Sequence, residues 1–125
     1  MEWNPYAGAC PTRFVLDRIA DKWTVLLLGI LEQGPKRFNA LLRDVDGLSQ
    51  KMLSQVLKSL ERDGLVTRTA YPTVPVTVEY AITPLGQTLT ATLDCLRRWA
   101  VDNIETVLGA QRLYDEKTAQ GKPKG

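Results

Sequence analysis

Turn-forming and helix-breaking residues divide this chain at close intervals, and they constrain its fold more than any other feature. Gly34-Pro35, Asp46-Gly47, Asp63-Gly64, Pro72 with Pro75, and Thr83-Pro84 each end one periodic segment and open another. Glycine adopts turn conformations that other residues resist, and proline continues neither a helix nor a central strand. Only short elements fit between these points; a long helix has room only after Pro84.

The pattern within each piece predicts its type. Residues 1–11 carry Pro5, Gly8 and Pro11 and read as an irregular arm. Thr12 to Ala20 reads as a short helix with Phe14, Val15, Leu16 and Ile19 apolar. Asp21 is placed to cap a second helix, 22–32, which is apolar almost all round and belongs at the centre of a core. A third short helix covers 38–44, and Ser49 caps a fourth over 50–62. Leu65–Tyr71 is rich in Val and Thr, and Val76–Ile82 alternates apolar with polar residues, so the two form a hairpin across Pro72–Pro75. Thr83 is an N-cap with proline at the first helical position, and the last helix runs from Pro84 to about Leu108. The polar stretch 110–125 reads as a partly disordered tail behind one domain, 1–109. The fold class is mainly α (α+β). Helix, short helix, turn, helix and then a hairpin is the layout of a winged helix-turn-helix.

Composition removes whole classes of function. The chain of 125 residues has no histidine, so no Ser-His-Asp or Cys-His arrangement can be built. Two cysteines cannot complete a tetrahedral zinc site, and no metal or other cofactor is expected. No carboxylate pair lies in an apolar setting suited to acid–base work, so an enzyme is not expected. The longest apolar run, Val25 to Leu28, is far below a membrane span of ~18 residues, and the start Met1-Glu2-Trp3-Asn4 lacks the features of a signal peptide. The cytoplasm is the expected compartment, with no membrane partner.

The helix over 50–62 carries the functional signal. At 100° per residue, Met52, Leu53, Val56, Leu57 and Leu60 share one side. Gln50, Lys51, Ser54, Gln55, Lys58, Ser59 and Arg62 share the other, where Glu61 in the last turn is the only acid. Glutamine can pair bidentately with adenine, and lysine can reach guanine or a phosphate. From Pro35 to Arg68 seven basic residues face four acids, a surplus of three against a net charge of +2 for the whole chain. Basic charge gathered on one segment is the electrostatic footprint of a DNA-binding face. A plain solvated face of an amphipathic helix is the competing reading.

Particular stretches resemble the HxlR-type regulators, a branch of the MarR-like winged-helix transcription factors. They are Cys10-Pro11, Lys22-Trp23-Thr24, Gly34-Pro35-Lys36-Arg37-Phe38, Leu48-Ser49-Gln50-Lys51-Met52-Leu53, Asp63-Gly64-Leu65-Val66, Val78-Glu79-Tyr80 and Trp99. The resemblance covers about residues 10–109. It implies a homodimeric DNA-binding regulator, and the symmetry of such a dimer predicts a pseudo-palindromic operator in double-stranded DNA, read sequence-specifically. Asp21 and Ala40 depart from the family's usual pattern, and neither touches the candidate recognition helix.

On this reading the DNA-binding candidates are Arg37, Ser49, Gln50, Lys51, Ser54, Gln55, Lys58, Arg62, Arg68 and Thr73. Helix 50–62 enters the major groove, and the wing, 66–82, lies on the minor groove or backbone. Arg68 suits a narrow minor groove; an ion pair with Glu79 across the hairpin is its alternative. Arg37 is a phosphate contact or an ordinary exposed arginine. Leu85, Leu89, Leu96, Trp99, Ala100 and Val107 form a stripe on the last helix, with more apolar surface than one domain covers, so a homodimer is expected there. Packing within the chain is the alternative. Cys95, between leucines, reads as buried and inert. Cys10, at a helix start with Arg13 nearby, is the candidate redox- or electrophile-sensing thiol; a structural cysteine, or an unidentified small-molecule effector in place of redox, remains open. So does a winged-helix module that binds protein instead of DNA.

Overall fold

A computed structural model describes residues 2–120. Its elements are α1 (Thr12–Ala20), α2 (Lys22–Leu31), β1 (Lys36–Arg37), α3 (Phe38–Asp44), α4 (Gln50–Arg62), β2 (Val66–Tyr71), β3 (Thr77–Ile82) and α5 (Pro84–Gln120). The chain divides into two compact units, one ending at Leu93 and one beginning at Asp94, so α5 starts in the first and continues through the second. No helix among the described residues is long and apolar enough to cross a membrane.

The first unit is built around α2. Asp21 caps this helix, its carboxylate accepting from the Trp23 backbone N–H at 2.9 Å. Leu27, Leu28 and Leu31 of α2 are fully buried, as are Leu53, Leu57 and Leu60 of α4 and Leu41 of α3. Val66, Tyr80 and Leu93 complete the same core. The wheel over 50–62 is therefore right about its leucines. Met52 is the correction: it stays 37% exposed, because it lies in the first turn at the edge of the packed side.

The sheet has a strand that periodicity does not reveal. β1 pairs antiparallel with β3, Lys36 opposite Tyr80 and Arg37 opposite Glu79. The strand order is β1-β3-β2, so the expected two-stranded hairpin is part of a three-stranded sheet. Two residues carry no alternation to detect, and only the edge offered by β3 makes them a strand. The hairpin register runs from Val66 opposite Ile82 to Tyr71 opposite Thr77.

Two glycines set the geometry where α4, the sheet and α5 meet. Gly64, at φ +76°, turns the chain out of α4. Its N–H bonds the Glu61 carbonyl at 3.0 Å, while the Leu65 N–H bonds the Leu60 carbonyl at 2.9 Å, a Schellman termination. Gly86 lets the first turn of α5 sit against the sheet: a Cβ there would lie 2.4 Å from the Leu65 carbonyl oxygen and 2.6 Å from Ile82 Cγ1. Thr83 joins these parts. Its hydroxyl donates to the Gly64 carbonyl at 2.6 Å and accepts from the Gly86 N–H at 3.0 Å, capping α5 as the Thr-Pro pair predicts.

In the second unit α5 runs through Gln120 instead of ending near Leu108. Residues 110–120 contain helix formers and neither glycine nor proline. An exposed helix and a disordered tail are both polar, and that is why composition reads this stretch as a tail. Residues 121–125 of the expected tail lie outside the described residues. Cys95 is another correction: it is exposed, because its leucine neighbours in sequence point elsewhere around the helix. Leu96, Trp99, Val101, Ile104, Leu113 and Tyr114 are also exposed, Trp99 by 61%.

Candidate nucleic-acid interface

The candidate interface is assembled by α3, α4 and the hairpin. Ser49 starts α4, its Oγ accepting from the Met52 N–H at 3.1 Å. That contact uses an oxygen lone pair and leaves the hydroxyl hydrogen able to donate. The other N–H groups of the first turn point outward with the positive end of the helix dipole, a favourable site for phosphate. At the far end, Arg18 of α1 contacts Asp63, Nε to Oδ2, at 2.6 Å. This pair fixes the C-terminus of α4 and neutralises one of the four acids of the basic segment. Lys36 and Asp44 form a second pair at 3.9 Å.

The outward face of α4 is as polar as its sequence predicts. Ser49, Gln50, Lys51, Ser54, Gln55, Lys58 and Arg62 are all exposed. Among the described residues, no hydrogen bond or ion pair engages the side chains of Gln50, Lys51, Ser54, Gln55, Lys58 or Arg62. Oppositely charged residues three or four apart on a helix can pair; Glu61 stands three residues from Lys58, and the two form no ion pair among the described residues. Here the donors and acceptors stay available to a partner.

Arg68 does not pair with Glu79. Its cross-strand neighbour is Tyr80, on the side of the sheet that faces α4. Glu79 lies opposite Thr69 and accepts from the Tyr71 hydroxyl at 3.3 Å. Arg68 therefore lines a cleft of about 330 Å³ with Ser54, Lys58, Glu61 and Tyr80, between α4 and the hairpin. It also borders a larger cleft of about 910 Å³, where Arg37 and Arg43 project from the α3 side and Thr73 to Val78 form the opposite wall. Arg37 and Arg68 thus come together across one concavity. Thr73, at the hairpin tip, donates to the Pro75 carbonyl at 2.8 Å and lies 2.7 Å from the Thr77 hydroxyl.

Two residues of this surface escape sequence reading. Arg43 enters the charge count of the basic segment, but a seven-residue helix gives too little periodicity to aim it into the cleft. Tyr80 reads as a core residue, which it is at 7% exposure, yet it also floors both clefts.

The remaining candidates lie away from this surface. Cys10 is half-buried, with its sulfur 3.0 Å from Thr12 Oγ1. Arg13 spends its guanidinium on the arm, donating to the Pro5 and Tyr6 carbonyls at 3.0 Å each, so Thr12 and not Arg13 is the polar partner of the thiol. Within the stripe on α5, Leu89 packs against the core of the first unit, whereas Leu85, Leu96, Trp99, Ala100 and Val107 are exposed.

The chain is similar to known helix-turn-helix regulators. The family model described as HxlR-like helix-turn-helix matches residues 18–107. YtfH of Escherichia coli strain K12, named an uncharacterized HTH-type transcriptional regulator, is 42% identical over 118 residues, covering 94% of this chain and 91% of that protein. A solved structure named for the transcriptional regulator ytfH of Salmonella typhimurium superposes with a TM-score of 0.83 at 41% identity, covering 89% of this chain and 99% of that one. The redox regulator HypR in its reduced form gives a TM-score of 0.72 at 36% identity, covering 79% of this chain and 98% of that one.

Proposed function

This chain belongs to the HxlR-like helix-turn-helix family and is a DNA-binding transcriptional regulator, and from that premise we propose that it reads a pseudo-palindromic operator as a homodimer. Helix α4 enters the major groove, and the hairpin 66–82 acts as a wing on the adjacent minor groove or backbone. The observation that carries this reading is the outward face of α4, with Gln50, Lys51, Ser54, Gln55, Lys58 and Arg62 exposed and uncommitted. Ser49 and Arg37 contribute phosphate contacts where α4 and α3 begin, and Arg43 joins them from the cleft wall.

The exposed residues of the α5 stripe support the dimer. A two-fold axis brings the same apolar face of two copies together and covers both. Half-sites then lie about one helical turn apart, ~34–36 Å, or a multiple of it. The test is binding of the full chain to its own upstream DNA by fluorescence anisotropy at several salt concentrations. A dimer on DNA, with affinity falling steeply as salt rises, is the expected result. Absence of any DNA binding favours a winged-helix module for protein contact.

The signal is the second part of the proposal. HypR is a redox regulator with a reduced and an oxidized form. Cys10 stands half-buried at the start of α1, next to an arm that Arg13 holds in place. We assign sensing to Cys10: an S–S bond formed with a second thiol, the two electrons and two protons passing to a diamide-type oxidant, shifts α1 and the arm and releases DNA. Operator binding before and after diamide, in wild type and in Cys10→Ser, checks this. A wild type whose affinity does not move while Cys10 remains a free thiol points instead to a small-molecule effector.

A further inference from the structure

The tip of the wing is chemically unlike the rest of the candidate interface. No charged residue occurs between Arg68 and Glu79. Val74 is 101% exposed, and Val76 and Tyr71 are exposed beside it. Pro72 and Pro75 flank Val74, so the tip has little backbone freedom to lose on contact. Thr73 stiffens it further: its N–H donates to the Tyr71 carbonyl at 2.8 Å, and its hydroxyl is held by Pro75 and Thr77. The result is a firm apolar knob held clear of the body of the domain.

What lies behind the knob indicates what it meets. The cleft that Val74 and Val76 border is walled on the other side by Arg37 and Arg43, with Arg68 at its base. Among the described residues, none of these three arginines is in an ion pair. A phosphate strand seated on the arginines would bring the knob over the adjoining groove, where sugars and base edges offer apolar surface. Apolar side chains are used in this way in minor grooves, packing on sugars or wedging at base steps.

We propose that residues 71–76 enter the minor groove as an uncharged wedge, centred on Val74 and Val76, whose contribution to operator affinity does not depend on salt. Arg68, behind the wedge, holds the phosphate strand and supplies the salt-dependent part. This rests on the major-groove reading of α4 and refines the role of the wing within it.

The experiment uses the full chain and its operator duplex, with affinity measured between 50 and 300 mM KCl. Each phosphate contact contributes about −0.9 to the slope of log affinity against log salt. The pair Val74→Ser with Val76→Ser is expected to weaken binding about five- to tenfold at every salt concentration, leaving the slope unchanged. Arg68→Gln is expected to reduce the slope by about one. Val74→Lys, which places a cation in the groove, should bind more tightly and with a steeper slope. Wild-type affinity in the double serine variant, together with no response to Val74→Lys, overturns the wedge. Unchanged DNA affinity with lost transcriptional control assigns the tip to a protein partner and also overturns it. A wild type that binds no DNA removes the reading beneath the proposal, an outcome distinct from either.

Discussion

Helices α4 and α5 are both amphipathic, yet they leave opposite faces open. In α4 the apolar side is consumed by the core through Leu53, Leu57 and Leu60, and the polar side looks outward. In α5 beyond Asp94, Leu96, Trp99, Ile104 and Leu113 stay exposed together with the polar residues between them. A polar face with uncommitted donors has lost nothing by waiting in water for DNA. An apolar face of several turns has, and the dimer proposed above would relieve it. The difference teaches that an open surface identifies its partner by which solvent cost it still carries.

The sharpest way to break this comparison is to exchange neighbours on α4. Leu57→Ala removes a fully buried side chain and should destabilise the first unit by about 2–5 kcal/mol in chemical denaturation. Lys58→Ala, one residue along, should stay within about 0.5 kcal/mol in the same assay while weakening binding to every DNA sequence. Equal stability losses from both would mean that the two faces are not separated as described.

The corresponding probe on α5 is Trp99→Glu. A buried interface tryptophan is often a hot spot worth about 2 kcal/mol or more, so the dimer should dissociate at concentrations at least roughly thirtyfold higher. Sedimentation equilibrium reads this directly. A variant as dimeric as wild type would place the dimer interface elsewhere.

A smaller effect separates reading from attraction on α4. Gln50→Ala and Gln55→Ala should each lose about 1–3 kcal/mol on the operator and almost nothing on unrelated DNA. Competition with scrambled duplexes measures the ratio; an equal loss on both would show that the glutamines touch only the backbone.

The smallest effect belongs to the pair that steadies the end of α4. Arg18 and Asp63 keep about a quarter to a third of their side-chain surface in water, 26% and 30%. Arg18→Gln should therefore cost only about 0.2–1 kcal/mol, less at high salt. A larger loss in thermal melts, unchanged by salt, would mean that packing by the arginine stem matters more than its charge.

Much of this was legible residue by residue. The caps at Asp21, Ser49 and Thr83 and the stop at Asp63-Gly64 are local events, decided by one side chain and the nearest few backbone groups, so they stand in the sequence as they stand in the structure. The split of α4 into leucines and amides is a matter of 3.6-residue periodicity, equally local. The strand at Lys36–Arg37 was not legible, since two residues have no pattern and their pairing depends on β3, more than forty positions away. The exposure of Cys95 escaped because leucine neighbours in sequence do not fix which way a helical side chain faces, and the extension of α5 to Gln120 because composition does not separate a solvated helix from a polar tail. Nor did any spacing bring Arg37, Arg43 and Arg68 to one cleft; the pairing of β1 with β3 does that by setting the hairpin beside the start of α3. Hydrogen bonds and helical period act within a few residues and are written in order along the chain. Convergence of charge depends on which distant segments share a core, and only the tertiary structure decides that.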